Sequence, residues 1–225
     1  MNPAPPVTKI RISFKFKGKE TSLQAMDPQK LLTASLNESV RTKKEFLEKN
    51  LSKVLEASEL LYQCTQNNKK VLIFGNGGSA CDALHFSGEW VNRYKRDRKA
   101  LAAVALTADA PLLTCIGNDS DFDQIFSRQI EALGQEGDIA IGISTSGNSK
   151  NVELGLKAAK KVGMKCIGLL GRDGGTILSG ELCDISLLVA ENRQTSRIQE
   201  CHEWLLHAFC EYIDLKILGP DPDLI

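Results

Sequence analysis

A chain of 225 residues can bury one sizeable hydrophobic core, or two small ones. Its 42% apolar and 25% charged residues exclude wholesale disorder, and 28 Lys+Arg balanced by 28 Asp+Glu argue against nucleic acid as a dedicated partner. No apolar run approaches the ~18 residues of a membrane-spanning helix, so no membrane partner is expected; the N-terminus lacks an apolar signal core, and an odd set of seven cysteines without a C-x-x-C pair reads as reduced thiols in a cytoplasmic protein.

The chain opens on a segment unlike the rest. Ile10, Ile12, Phe14 and Phe16 alternate with basic and polar residues, a period of two. Residues 1–27 therefore read either as a leader, disordered or bypassed by a start at Met26, or as an extra edge strand packing on a neighbour. A single domain is expected over residues 28–218, with 219–225 as a tail. From Pro28 to Gln66 the spacing predicts one or two helices: Leu32, Leu36, Val40, Phe46, Leu47, Leu51, Val54 and Leu61 recur at helical intervals, and their stripe needs a covering partner.

The remainder alternates between short apolar runs and amphipathic stretches. Strands are predicted at Val71–Phe74, Leu101–Leu106, Ile139–Ile143, Lys165–Leu170 and Ile185–Val189. Helices are predicted from Ser79 to about Val91, at Pro111–Ile116, Phe122–Leu133 and Lys150–Val162, and from about Ser196 to Ile217. Continuous apolar strands between amphipathic helices predict an α/β fold, a doubly wound five-stranded parallel sheet flanked by helices, with an N-terminal helical segment in front.

Two strand ends open into Gly/Ser-rich loops and then into helices: Gly75-Asn76-Gly77-Gly78-Ser79 and Ser144-Thr145-Ser146-Gly147-Asn148-Ser149. Ligands of doubly wound sheets sit at the carboxyl ends of strands, and a helix N-terminus offers unpaired N–H groups to an anion. Neither loop has a Walker lysine or the G-x-G-x-x-G spacing, so a nucleoside triphosphate or dinucleotide fits poorly. Neutral hydroxyls suit a sugar phosphate, although Ser, Asn and Gly also serve ordinary turns and caps.

On the helix after the first loop, His85 and Glu89 stand four residues apart and share a face, as a zinc-holding pair, an acid–base couple or a surface contact. The other two histidines, His202 and His207, lie on the last helix with Gln199. Gln199 and His207 are separated by about 12 Å of rise and about 80° of rotation, so spacing alone favours His202 as the partner of Gln199.

The segments Gly75–Ser79, Cys81-Asp82-Ala83-x-His85-Phe86, Gly117-Asn118-Asp119, Gly142 to Ser149, Gly171-x-Asp173-Gly174-Gly175 and Arg197-Ile198-Gln199-Glu200-x-His202 together resemble the phosphoheptose isomerase family of the sugar isomerase (SIS) superfamily, in order over roughly residues 30–217. The resemblance implies the flavodoxin-like SIS fold. It implies zinc, one per subunit, on His85, Glu89, Gln199 and His207, with Glu89 and His207 as catalytic base and acid. It thus prefers His207 to the His202 that spacing favours. It implies substrate contacts at Asn76, Gly77, Gly78, Ser79, Glu89, Asn118, Asp119, Ser144, Thr145, Ser146, Ser149 and Gln199, and a homotetramer with active sites between subunits. The leader before Met26 departs from the family's compact form, and Gly88 stands where the family often has an acidic residue.

The implied reaction converts D-sedoheptulose 7-phosphate to D-glycero-D-manno-heptose 7-phosphate, the first step toward the nucleotide-activated heptoses of bacterial lipopolysaccharide or capsule. The alternative is a non-catalytic SIS protein that binds the replication initiator; such relatives keep the phosphate loops but lose the acid–base pair, which this chain retains. An SIS sugar-phosphate sensor would carry a DNA-binding domain that the leader is too short to supply.

Overall fold

The computed structural model describes residues 27–220; the alternating 10–16 segment and the rest of the leader lie outside the described residues. The long N-terminal stretch is one helix, α1 (Pro28–Gln66). Asp27 caps it by accepting from the Gln29 N–H, and Pro28 at the first position loses no hydrogen bond there. Then follow β1 (Val71–Gly75), α2 (Gly78–Val91), β2 (Ala103–Ala105), α3 (Ala110–Asp119), a 3-10 turn (Phe122–Gln124) and α4 (Ser127–Leu133). The chain continues through β3 (Ile139–Ser144), α5 (Lys150–Lys161), β4 (Lys165–Gly171), α6 (Gly175–Ser179), β5 (Ile185–Val189) and α7 (Thr195–Leu218).

The expected doubly wound parallel sheet is present, in the order β2-β1-β3-β4-β5. Alternate strand residues feed two cores. Val71, Ile73, Ile141, Ile143, Ile167, Leu169 and Leu187 pack under α1, α2 and α7. Leu72, Phe74, Ala140, Cys166 and Leu170 pack on the opposite face, with Phe126, Ile130, Val152, Leu156 and Ile177. This burial on both faces is why the strands read as unbroken apolar runs. β2 is shorter than its apolar run, because it pairs only with β1, over Ala103–Ala105. The single helix expected over Phe122–Leu133 is broken in two, with Asp121 capping the 3-10 turn through the Asp123 N–H.

Chain order reverses between β1 and β3, which pair along their length up to Gly75 opposite Ile143. The loops after these two strands, both singled out in the sequence, therefore flank the crevice where such sheets bind ligands. Gly147 sits in the second loop at φ +68°, and a side chain there would overlap the Gly174 carbonyl, so that turn packs backbone on backbone against the start of α6.

The stripe on α1 is two stripes. Phe46, Val54 and Leu61 are buried under the fold, whereas Leu32, Leu36, Val40, Leu51 and Leu55 stand exposed. No helix among the described residues is long and apolar enough to cross a membrane. All seven cysteines are free, and burial pushes the thiols of Cys64, Cys166, Cys183 and Cys201 up to about 12.

Candidate active site

The site is built on two helices that pack side by side, α2 and α7. α2 starts at Gly77, whose φ of +56° turns the chain sharply out of the β1 loop. It carries Asp82, His85 and Glu89 along one side. α7 brings Gln199 and His207 against it. One ligand atom each from His85, Glu89 and His207 lie within 4.8 Å of one another. The two imidazole Nε2 atoms are 2.7 Å apart, His85 Nε2 is 3.5 Å from Glu89 Oε1, and His207 Nε2 is 3.8 Å from Glu89 Oε2. That Oε2 is buried without a hydrogen-bond partner among the described residues. Two imidazole nitrogens and an unsatisfied carboxylate oxygen around one point can hold a metal ion, and their donor chemistry fits zinc.

Gln199 joins from the other side. With Gly78, Cys81, Asp82, His85, Ser196, Glu200 and Glu203 it lines an open cleft of about 470 Å³. A side chain at Gly78 would overlap the Gln199 carboxamide, so the glycine admits Gln199 to the start of α2. Asp82 is a polar residue of this cleft that the sequence reading quoted only as part of a motif. Burial first, and the nearby Glu203 second, push its carboxyl up to about 6, while His85 pulls the other way. Its position three residues before His85, on the same helix side, was the signal available.

The two Gly/Ser-rich loops hold themselves together. Asn76 and the buried Asn151 exchange side-chain hydrogen bonds of 2.8 and 2.9 Å, tying the first loop to α5. The Ser144 and Ser149 hydroxyls are 2.9 Å apart, and Ser144 Oγ accepts from the Gly147 N–H. Ser146 Oγ accepts from the Asn148 N–H. Ser149 is the N-cap of α5 but makes no side-chain cap bond, which leaves its hydroxyl facing only Ser144 among the described residues. Thr145 and Ser146 are partly buried, and Ser79 is buried at the start of α2. Asn118 and Asp119 are exposed on the last turn of α3, where Asn118 donates to Asp119; neither lines the cleft.

His202, the residue that spacing alone favours, is fully buried, and its Nε2–H donates to the Leu170 carbonyl. It faces the sheet, on the side of α7 away from His85. Burial drops its pKa to about 4, against the pull of the Leu170 bond. The unfolded chain would protonate it near 6.5. Between those values the unfolded state binds the extra proton, so stability rises with pH and is lost as pH falls from about 6.5 to about 4. Asp82 has the opposite sign, since its raised pKa makes the folded state the better proton binder between about 4 and 6. Replacing His202 by Asn should therefore flatten the acid loss of stability by up to about 3 kcal/mol. Urea unfolding at pH 7 and pH 4.5 checks this; equal pH slopes in the variant and parent would refute it.

Two arginines hold the helix ends. Arg98, with no exposed side-chain surface, pairs with Asp214 at 3.0 Å and donates to the Glu89 and Trp90 carbonyls, both at 2.9 Å. Arg96 donates to the carbonyls of Asp214 and Gly219 at the end of α7. Sequence reasoning missed both, because they sit in a charged run that looks like a solvated loop.

The SIS domain family profile matches residues 36–171. A phosphoheptose isomerase of Neisseria gonorrhoeae is 47% identical over 190 residues, 84% of this chain and 96% of that protein. The solved structure of the Neisseria gonorrhoeae phosphoheptose isomerase superposes with a TM-score of 0.77 at 45% identity, covering 84% of this chain and 99% of that one. That of Francisella tularensis gives 0.79 at 34% identity, with the same coverage. With identity of this level across nearly the whole of its relatives' length, the chain belongs to the phosphoheptose isomerases of the SIS domain family.

Proposed function

We propose that this isomerase converts D-sedoheptulose 7-phosphate to D-glycero-D-manno-heptose 7-phosphate, the first step toward nucleotide-activated heptoses of bacterial lipopolysaccharide or capsule. The observation that carries the reading is the meeting of His85, Glu89 and His207 between α2 and α7. A protein that only bound a partner would have no use for an unsatisfied carboxylate held against two imidazoles.

The chemistry is a proton moved between neighbouring carbons. The Glu89 carboxylate takes a proton from C1, and the electron pair forms the C1=C2 bond. His207 gives a proton to the C2 oxygen, which leaves an enediol. Glu89 then returns its proton to C2 as His207 takes the proton of the C1 hydroxyl, and the aldehyde forms. His85, Glu89, Gln199 and His207 are the residues that would hold zinc, which when bound supplies Lewis-acid polarisation of the substrate carbonyl. The hydroxyls of Ser144, Thr145, Ser146 and Ser149, with the N-terminus of α5, anchor the phosphate. Asn76, Gly77, Gly78, Ser79, Asn118, Asp119 and Gln199 complete the sugar contacts. Fixing the phosphate fixes C1 and C2 against Glu89, which is how remote binding energy lowers the barrier.

The exposed apolar row on α1 supports a homotetramer in which these helices pack between subunits. Such packing also brings partner chains to the active sites. Incubation of the full chain with sedoheptulose 7-phosphate, with and without a chelator, tests the function. Product is expected, with turnover falling at least ~100-fold in chelator and returning with zinc. No product under either condition would overturn the reading. A monomeric mass by light scattering from active protein would overturn the assembly.

A further inference from the structure

We propose that Tyr94 is a positioning residue for His207, holding the plane of the imidazole from which the acid acts. The inference rests on the acid role given to His207 above. The Tyr94 and His207 rings stack with centres 5.6 Å apart and planes inclined by 27°. His85 meets the same imidazole edge-on, at 5.0 Å and 83°. His207 is thus bounded on a face by Tyr94 and on an edge by His85, while a third of its side chain remains exposed. Without Tyr94 that face has water in place of a ring, and the histidine side chain is freer to rotate about its two torsions.

The tyrosine is itself held. Its hydroxyl donates to Glu211 Oε1 at 3.4 Å, and Glu211 lies one helical turn beyond His207 on α7. The ring therefore spans a full turn of the helix that presents the acid. Lys95 Nζ reaches the same Glu211 oxygen at 2.7 Å and lies 5.3 Å from the Tyr94 ring centre. On the far side of Tyr94 in sequence, Arg96 and Arg98 fasten the segment to α7 and to the end of α2. A loop tied at this many points is a support for the histidine on which it stacks. Supporting contacts of this kind matter because catalytic geometry tolerates errors of only about 0.5 Å.

The test uses the full-length protein with Tyr94→Leu and Tyr94→Phe, each also made with His207→Ala. Tyr94 is half-buried on the surface of the fold, so both single variants are expected to fold with unchanged thermal midpoints. Tyr94→Leu should lower kcat about tenfold, the upper range for loss of an aromatic pair, and change KM by less than about twofold, because the phosphate is held elsewhere. Tyr94→Phe, which keeps the ring, should restore kcat to within about threefold. With His207 already replaced, Tyr94→Leu should change the residual rate by less than about twofold, the non-additivity of residues acting as one unit. A Leu variant with parental kcat would overturn the proposal. So would a Phe variant as slow as Leu, or a tenfold loss that persists without His207. Failure of the acid reading is distinguishable: His207→Ala alone would then keep the parental rate.

Discussion

Replacing Glu89 by Gln should abolish isomerisation while leaving a folded protein that still binds the sugar phosphate. The amide keeps the shape of the side chain and removes the base. General acid–base groups contribute ~100- to 10,000-fold, and the proposed mechanism uses Glu89 in both proton transfers, so the loss should reach the upper part of that range. His207→Ala should lose at least ~100-fold, and it also removes one of the three converging donors, so zinc affinity should fall with it. His202→Ala is the control on the same helix. It removes the side-chain bond to the Leu170 carbonyl and opens a hole in the core, so it should cost on the order of 1–3 kcal/mol of stability and leave turnover per folded molecule within a few fold. Steady-state rates, isothermal titration with zinc and urea unfolding on the three variants decide the matter. Should His202→Ala abolish turnover and zinc binding while His207→Ala keeps both, the assignment on α7 would have to be redrawn.

The second large effect is expected at Arg98. Its buried guanidinium neutralises Asp214 and caps the carboxyl end of α2 at Glu89 and Trp90. Arg98→Ala strands the Asp214 charge, whose Oδ2 already lacks a hydrogen-bond partner among the described residues. Removing one member of a buried ion pair costs about 3–5 kcal/mol, which in a domain of this size lowers the melting temperature by about 6–20 °C. Arg98→Lys should recover only part of this, since one ammonium cannot reproduce the planar fork that reaches two carbonyls and a carboxylate. A melting temperature within about 2 °C of the parent would show that water, rather than the arginine, satisfies these groups.

The sheet was legible in the sequence because both of its faces are buried, which makes β3 apolar from Ile139 to Ile143. The two Gly/Ser-rich loops were legible because glycine and serine cluster at the ends of β1 and β3, and reversal of strand order brings those ends together. His85 and Glu89 were readable as a pair on one helix. Their meeting with His207 was not, because it depends on how α7 crosses α2, which helical spacing within α7 does not contain. The family resemblance named His207, which meets His85 and Glu89, whereas the three-residue interval from Gln199 pointed to His202, which faces the sheet. Within the run from Arg93 to Lys99, nothing in residue type separates the exposed Arg93 from the wholly buried Arg98, or marks Tyr94 as stacked on a histidine. The five-residue α6 was likewise hidden in its glycine-rich approach.

The contact between His85 and His207 spans 122 residues of sequence, and His207 lies on the last helix of the fold. A ribosome adding about 5–20 residues per second releases the second histidine roughly 6–24 s after the first. Through that interval the nascent chain can wind α2 and present Glu89, yet it has no acid. On the proposed roles the base is thus made early and stays idle, and the final helix acts as the arming step. On the same reading, a chain cut short before α7, by a premature stop or a protease, is left with a base and no proton donor.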